Sequence, residues 1–233
     1  MRAILELIGK VAIHDVPVLI VGETGSGKST LARAVHDGSP RAARAFVSLD
    51  CEALEGKSSA SSAALDRSKR ILRASVDEAA GGTLLLDEVA ALPGKVQLGV
   101  LALVERGLRA RTGDARLLAT THMDLDAAVR AGRFREDLLS GLSAVEVHLP
   151  PLRERVEDIL PLARHFLQTL PQREGMPVPE LTSRAEQALL AYSWPGNLRE
   201  LKNVMQRSLI LSRGRRLDID VFPERLSLGL PRP

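Results

Sequence analysis

Eight consecutive residues, Gly22-Glu23-Thr24-Gly25-Ser26-Gly27-Lys28-Ser29, have the GxxxxGK[ST] spacing of a phosphate-binding loop. They lie between an apolar, β-branched run that stops at glycine, Val16 to Gly22, and a stretch in which Leu31, Ala34 and Val35 share one helical face. The chemistry needs that context. Glycines let the backbone curl until successive N–H groups point at phosphate oxygens, and the helix beginning near Lys28 adds its positive dipole end. Lys28 is placed to reach the β and γ phosphates of a nucleotide, ATP first of all, and Ser29, with Thr30 beside it, offers a hydroxyl to Mg2+. A second segment, Thr83 to Glu88 (TLLLDE), is an apolar strand ending in two carboxylates. Beside a phosphate loop, Asp87 would hold magnesium through water and Glu88 would orient or deprotonate an attacking water. Alone, two acids after an apolar strand are commonplace; next to the loop they point to nucleotide chemistry.

These residues have to be held by a scaffold, and the pattern of the chain supplies one. Apolar runs at Ala45 to Leu49, Thr83 to Leu86, Arg116 to Thr120 and Ala144 to Leu149 alternate with helical stretches, the rhythm of a parallel sheet covered by helices. The expected fold class is α/β. After Pro150, Pro151 and Pro161 strand-like runs disappear while helical periodicity continues to about Leu211, so an α/β nucleotide-binding core at 1–150 and a small helical lid at 151–233 are expected. In the second part Ser183 and Glu186 have capping-box spacing, and Asn197 is placed to cap a helix whose Leu198, Leu201, Val204, Met205 and Leu209 share a face. Lys57 to Ala64 (KSSASSAA) is a low-complexity patch that reads as a shortened connection.

Composition narrows the setting. With 45% hydrophobic and 26% charged residues, the 233-residue chain can bury a core. No apolar run reaches the roughly 20 residues of a membrane span, and residues 1 to 10 lack the order of a signal peptide. The single Cys51 forms no internal disulfide and offers no metal-ligand spacing. A cytoplasmic protein without membrane contact is expected. The net charge of +3 comes from arginines dispersed along the chain, which fits a solvated surface rather than a nucleic-acid groove.

In order and spacing, GETGSGKS at Gly22, GGTLLLDEV at Gly81, FREDLL at Phe134, LPPLRERVEDI at Leu149 and WPGNLREL at Trp194 resemble the AAA+ domain of bacterial enhancer-binding proteins, which use ATP hydrolysis to activate sigma-54 RNA polymerase. The likeness covers nearly the whole chain. It implies a parallel-sheet P-loop domain followed by a helical lid, Mg-ATP bound at subunit interfaces, and self-association into a hexameric or heptameric ring. It also implies roles for single residues: Arg199 as the lid sensor that contacts nucleotide phosphate, His122 at the first sensor position, and Arg135 as an arginine presented to the neighbouring subunit's ATP. A trans arginine stabilises transition-state charge, so turnover should depend on assembly. The implied partner is a polymerase sigma factor or another regulator. No helix-turn-helix segment or receiver domain is read in the chain, as expected of a domain excised from a longer regulator.

Departures from the family concentrate where the family works. The GAFTGA loop that touches sigma-54 is absent, replaced by KSSASSAALDRSKRILRAS, and GDAR at Gly113 to Arg116 is shorter than the family's insertion there. The second interface arginine falls at Gly141, the sensor asparagine at His122, and the strand asparagine paired with the second acid at Asp50. Glu88 is therefore expected to face a carboxylate, which would raise its pKa and weaken its water-activating role. Ser29 stands where the family often has an acid.

A transcription-regulator ATPase, slow or dependent on assembly, with atypical or absent sigma-54 engagement, accounts for Glu88, Arg135 and Arg199. A non-hydrolysing ATP-binding interaction module accounts for Gly141, His122 and Asp50. A small-molecule kinase explains the phosphate loop but leaves WPGNLREL and FREDLL without a role.

Overall fold

The computed structural model describes residues 2–54, 62–107, 114–170, 178–212 and 216–227. They form two compact units, Met1–Gly22 with Lys28–Leu149, and Glu23–Gly27 with Pro150–Pro233. Residues 55–61, which carry most of the Lys57 to Ala64 patch and the place where GAFTGA is missing, and Gly113 lie outside the described residues.

In the first unit the chain runs α1 (Arg2–Ala12), β1 (Val18–Val21), α2 (Lys28–Asp37), β2 (Phe46–Asp50), α3 (Ser62–Glu78), β3 (Thr83–Asp87), α4 (Gly94–Gly107), β4 (Arg116–Thr121), α5 (Leu125–Arg130), α6 (Glu136–Leu142) and β5 (Val145–His148). The described strands form one parallel sheet in the order β2-β3-β4-β1-β5. Its three central strands, β1, β3 and β4, are buried almost throughout because both faces are covered, while the edge strands β2 and β5 include exposed residues. Leu19, Leu84, Leu86, Leu117 and Ala119 pack into one core with residues of α4 and α6. Their neighbours Val18, Ile20, Leu85 and Leu118 pack into the other with Ile8, Val11, Leu31 and Val35. Arg116 is buried at the start of β4, and its guanidinium donates to the carbonyls of Ala12 and Val11, at 2.7 and 3.0 Å. That closes the carbonyl end of α1, where a cation is favoured by the helix dipole.

In the second unit α7 (Val156–Thr169), α8 (Ser183–Ala191), α9 (Asn197–Ser212) and α10 (Glu224–Ser227) enclose a core of Leu152, Ile159, Leu167, Leu189, Trp194, Leu201 and Met205. Trp194 is fully buried, its indole N–H donating to the Leu189 carbonyl at 2.8 Å and its ring edge-on to Tyr192 at 5.1 Å. Two capping expectations are corrected. Thr182, not Ser183, is the N-cap of α8, its hydroxyl accepting from the Ala185 N–H. Asn197 opens α9 in the left-handed region, φ 51°, and its side chain turns away from the helix it starts.

Among the described residues no helix is long and apolar enough to cross a membrane.

Candidate functional site

β4 stands between β1 and β3, so the ends of three adjacent strands lie side by side: Gly22 after β1, Asp87 and Glu88 at the end of β3, and Thr120 to His122 at the end of β4. In open α/β sheets this carboxyl edge is where ligands bind. The Gly22 N–H donates to the Thr121 carbonyl at 3.1 Å, which ends the strand cleanly before the loop. Lys28, at the first position of α2 and only 6% exposed, donates to the Gly22 carbonyl at 2.9 Å and pairs with Glu88 Oε1 at 2.9 Å. Ser29 Oγ donates to Asp87 Oδ2 at 3.1 Å. Thr30 follows it on the exposed side of the first turn.

Glu88 sits in the left-handed region, φ 55° and ψ 57°, a conformation that costs a non-glycine residue about 1 kcal/mol and is characteristic of functional positions. Its second oxygen accepts from both the backbone N–H and Nδ1 of His122, at 3.0 and 2.7 Å. A carboxylate only accepts, so His122 Nδ1 carries a hydrogen in this contact. Burial pushes the Glu88 carboxyl upward, but hydrogen bonds from Lys28 and His122 and the Lys28 charge outweigh it and hold the carboxyl below its ordinary range. The expected opposition to Asp50 is therefore overturned. Asp50 Oδ1 accepts from the Glu52 N–H at 2.9 Å, so the acid caps a turn and leaves Glu88 to Lys28 and His122.

Arg135 is not drawn into this cluster. It is an exposed residue at the N-cap of α6, and its guanidinium is held by Asp137 of the first turn, at 2.9 and 2.5 Å. The backbone around it is fixed by the buried Gln97, which accepts from the Arg135 N–H at 3.0 Å and donates to the carbonyls of Leu92 and Arg133. Gly141, on α6, faces Val104 of α4: a Cβ there would lie 2.7 Å from Val104 Cγ1. A glycine at this point lets the two helices approach.

The five loop residues of the second unit are gripped from several sides. Glu23 takes a forked ion pair from Arg153, at 2.9 and 2.6 Å, and a hydrogen bond from Asn197 Nδ2 at 3.0 Å. Arg153 first, then Asn197, holds the Glu23 carboxyl below its ordinary value. Asn197 also donates to the Thr24 carbonyl at 3.2 Å and accepts from the Leu152 N–H at 2.7 Å. The Gly25 carbonyl accepts from the N–H groups of Leu198 and Arg199, at 2.9 and 3.3 Å, so the loop, not Asn197, caps α9. Arg155, buried, donates to the Ser26 carbonyl at 2.7 Å. Gly25 and Gly27 have φ of 76° and 106°, the conformations for which glycine is needed. Ser26 Oγ is buried and has no hydrogen-bond partner among the described residues. The Arg199 side chain is exposed at the first turn of α9.

Motif reading missed Arg153, Arg155, Gln97 and Thr120. LPPLRER signalled the first two as a segment, but nothing local marked which atoms they would hold.

Comparison with known proteins gives the family to which the chain is similar. The sigma-54 interaction domain family matches residues 1–148, and the AAA+ ATPase lid domain family matches 153–232. The alginate biosynthesis transcriptional regulatory protein AlgB of Pseudomonas putida is 40% identical over 232 residues, covering 94% of this chain and 52% of that protein. The Sigma54-dependent transcriptional regulator SfnR of Pseudomonas fluorescens is 38% identical over 247 positions, covering 100% and 66%. The crystal structure of NtrX from Brucella abortus in complex with ATP is 31% identical, with a TM-score of 0.83, covering 100% of this chain and 55% of that one. The chain spans about half the length of the first of these relatives. Matched over its α/β unit by the one family and over its helical unit by the other, the chain belongs to the sigma-54 interaction domain family and carries the AAA+ ATPase lid domain after it.

Proposed function

We propose that the chain binds Mg-ATP through its phosphate loop and the cluster of Lys28, Ser29, Asp87, Glu88 and His122, and hydrolyses it when copies assemble into a hexameric or heptameric ring in the cytoplasm, as part of a transcription regulator. The observation that carries this is Glu88: a strained, ionised carboxylate held between Lys28 and His122, beside the Asp87–Ser29 pair. That NtrX was crystallised with ATP supports the same ligand. A division into a nucleotide-binding core, 1–150, and a lid, 151–233, goes with this reading.

The donor set fits a magnesium ion. A carboxylate oxygen and a hydroxyl 3.1 Å apart are hard ligands, and among the described residues no group of three or more His, Cys, Asp or Glu gathers for a metal. A Mg2+ ion is usually held by one or two protein oxygens, with phosphates and water completing its shell. Ser29 and Asp87 would hold it, and when bound it would neutralise charge on the β and γ phosphates. Lys28, on meeting phosphate, exchanges Glu88 Oε1 for a phosphate oxygen. Glu88 then keeps only its His122 contact, and the freed oxygen orients water and accepts its proton. Gly22 to Gly27 supply backbone donors, Arg199 senses phosphate from the lid, and Arg135, held ready by Asp137, acts on a neighbour's ATP. With GAFTGA absent, sigma-54 engagement is atypical or missing.

A non-hydrolysing, nucleotide-gated module is the second reading, and it is favoured by both oxygens of Glu88 being occupied. Steady-state ATP turnover against protein concentration, with Mg2+ and with Lys28→Ala as blank, separates the two. Turnover per subunit that rises with concentration and vanishes in Lys28→Ala supports the ring ATPase. ATP binding with turnover equal to the blank sinks hydrolysis and leaves the module.

A further inference from the structure

One buried hydroxyl joins Asp87, the last residue of β3, to Glu88 after it, and no motif marks it. Thr120 lies in β4, with no exposed surface. The β3–β4 register pairs Leu86 with Ala119, which brings Asp87 beside Thr120 one step on. Thr120 Oγ1 accepts from the Glu88 N–H at 3.0 Å and donates to Asp87 Oδ1. The direction is forced: an N–H group cannot accept and a carboxylate cannot donate, so the single hydroxyl hydrogen goes to Asp87. Asp87 Oδ2 takes its hydrogen from Ser29, so both oxygens of Asp87 are oriented, one by β4 and the other by α2. The same hydroxyl pins the peptide plane in front of Glu88, the residue in the left-handed region.

We propose that Thr120 is a positioning residue of the nucleotide site: through one hydroxyl it aims the Asp87 carboxylate at the cation position and holds Glu88 in the backbone conformation that presents it to Lys28 and His122. This rests on the reading of the site as a Mg-ATP site. Without the hydroxyl, Asp87 keeps only Ser29 and turns more freely, and the Glu88 N–H loses its acceptor, so cation binding and the water-activating acid are disturbed together. A hydrogen bond to a charged group is large enough for an effect of about tenfold or more.

The test compares Thr120→Val, which keeps the shape and removes the hydroxyl, with Thr120→Ser, which keeps the hydroxyl. Binding of a fluorescent, non-hydrolysable ATP analogue is titrated with and without Mg2+, alongside kcat and KM. The expected result is that Thr120→Val leaves metal-free binding within about twofold, raises the Mg2+ half-saturation about tenfold and lowers kcat by about tenfold or more with little change in KM, and that Thr120→Ser recovers both to within about threefold. Wild-type Mg2+ dependence and kcat in Thr120→Val would overturn the proposal while leaving the Mg-ATP reading intact. Analogue binding by wild type that Lys28→Ala does not weaken would overturn both. Should Thr120→Val not fold, the wild-type Glu88 amide decides: slow hydrogen exchange supports the bond to Thr120, and exchange at the rate of a free amide overturns it.

Discussion

Glu88 shows how far a single residue can depart from what its neighbours in sequence suggest. An acid after an acid, at the end of a strand whose partner strand also ends in an acid, reads as a carboxyl pushed toward protonation. The fold instead gives it a lysine on one oxygen and a histidine on the other, and turns Asp50 to cap its own turn. A carboxyl held below its ordinary value in the folded chain contributes stability above its unfolded pKa, and that contribution is lost as pH falls through the lower folded value. Glu88→Gln is therefore expected to cost about 1 kcal/mol near pH 7. That difference from wild type shrinks as pH falls below about 4, as read by denaturant unfolding at each pH. A difference that stays constant across this range would mean that the charge of Glu88 contributes nothing. The motifs around Glu88 were legible because the loop and the two acids are each contiguous, with chemistry that demands fixed spacing. Thr120, 33 residues from Asp87, and Asn197, 174 residues from Glu23, were not, because their contacts depend on which strands and segments become neighbours.

At the scale of elements, the helices and strands followed from apolar periodicity, but their contacts set details that periodicity does not contain. Gly141 is the clearest case. Against the family pattern it reads as a missing arginine; in the fold it is the point where α6 meets Val104 of α4. Gly141→Ala is expected to lose about 1–3 kcal/mol of stability through overpacking, measured as a lower denaturation midpoint, and Val104→Ala in the same chain to recover part of that loss. If Gly141→Ala is as stable as wild type, the close approach is not what holds glycine there. By the same contact, Gly141→Arg would disturb α6 before it could supply a guanidinium. In the other unit, the start of α9 also fell outside the reach of local pattern. Asn197 has the residue type of a cap, yet its side chain serves Glu23, Thr24 and Leu152, and the Gly25 carbonyl caps the helix.

At the scale of the whole molecule, the proposed ring makes each site the work of two chains, and that can be tested without imaging an assembly. Lys28→Ala removes a chain's own phosphate contact, and Arg135→Ala removes what it presents to its neighbour. Each alone should be inactive. Mixed in equal amounts, they should regain turnover at about a quarter of the interfaces, where an Arg135→Ala chain receives the arginine of a Lys28→Ala chain. Mixtures as inactive as their parts would remove Arg135 from the trans role. For this molecule the sequence by itself determined the α/β order of elements, the phosphate loop and the acids after β3, because strand burial, glycine curl and metal chemistry each impose a short-range pattern. Only the tertiary structure decided which atoms those residues meet: Thr120 between Asp87 and Glu88, His122 on Glu88, and Arg153, Arg155 and Asn197 on the loop. The physical reason is that a hydrogen bond is settled within a few tenths of an ångström, by packing that joins segments far apart along the chain.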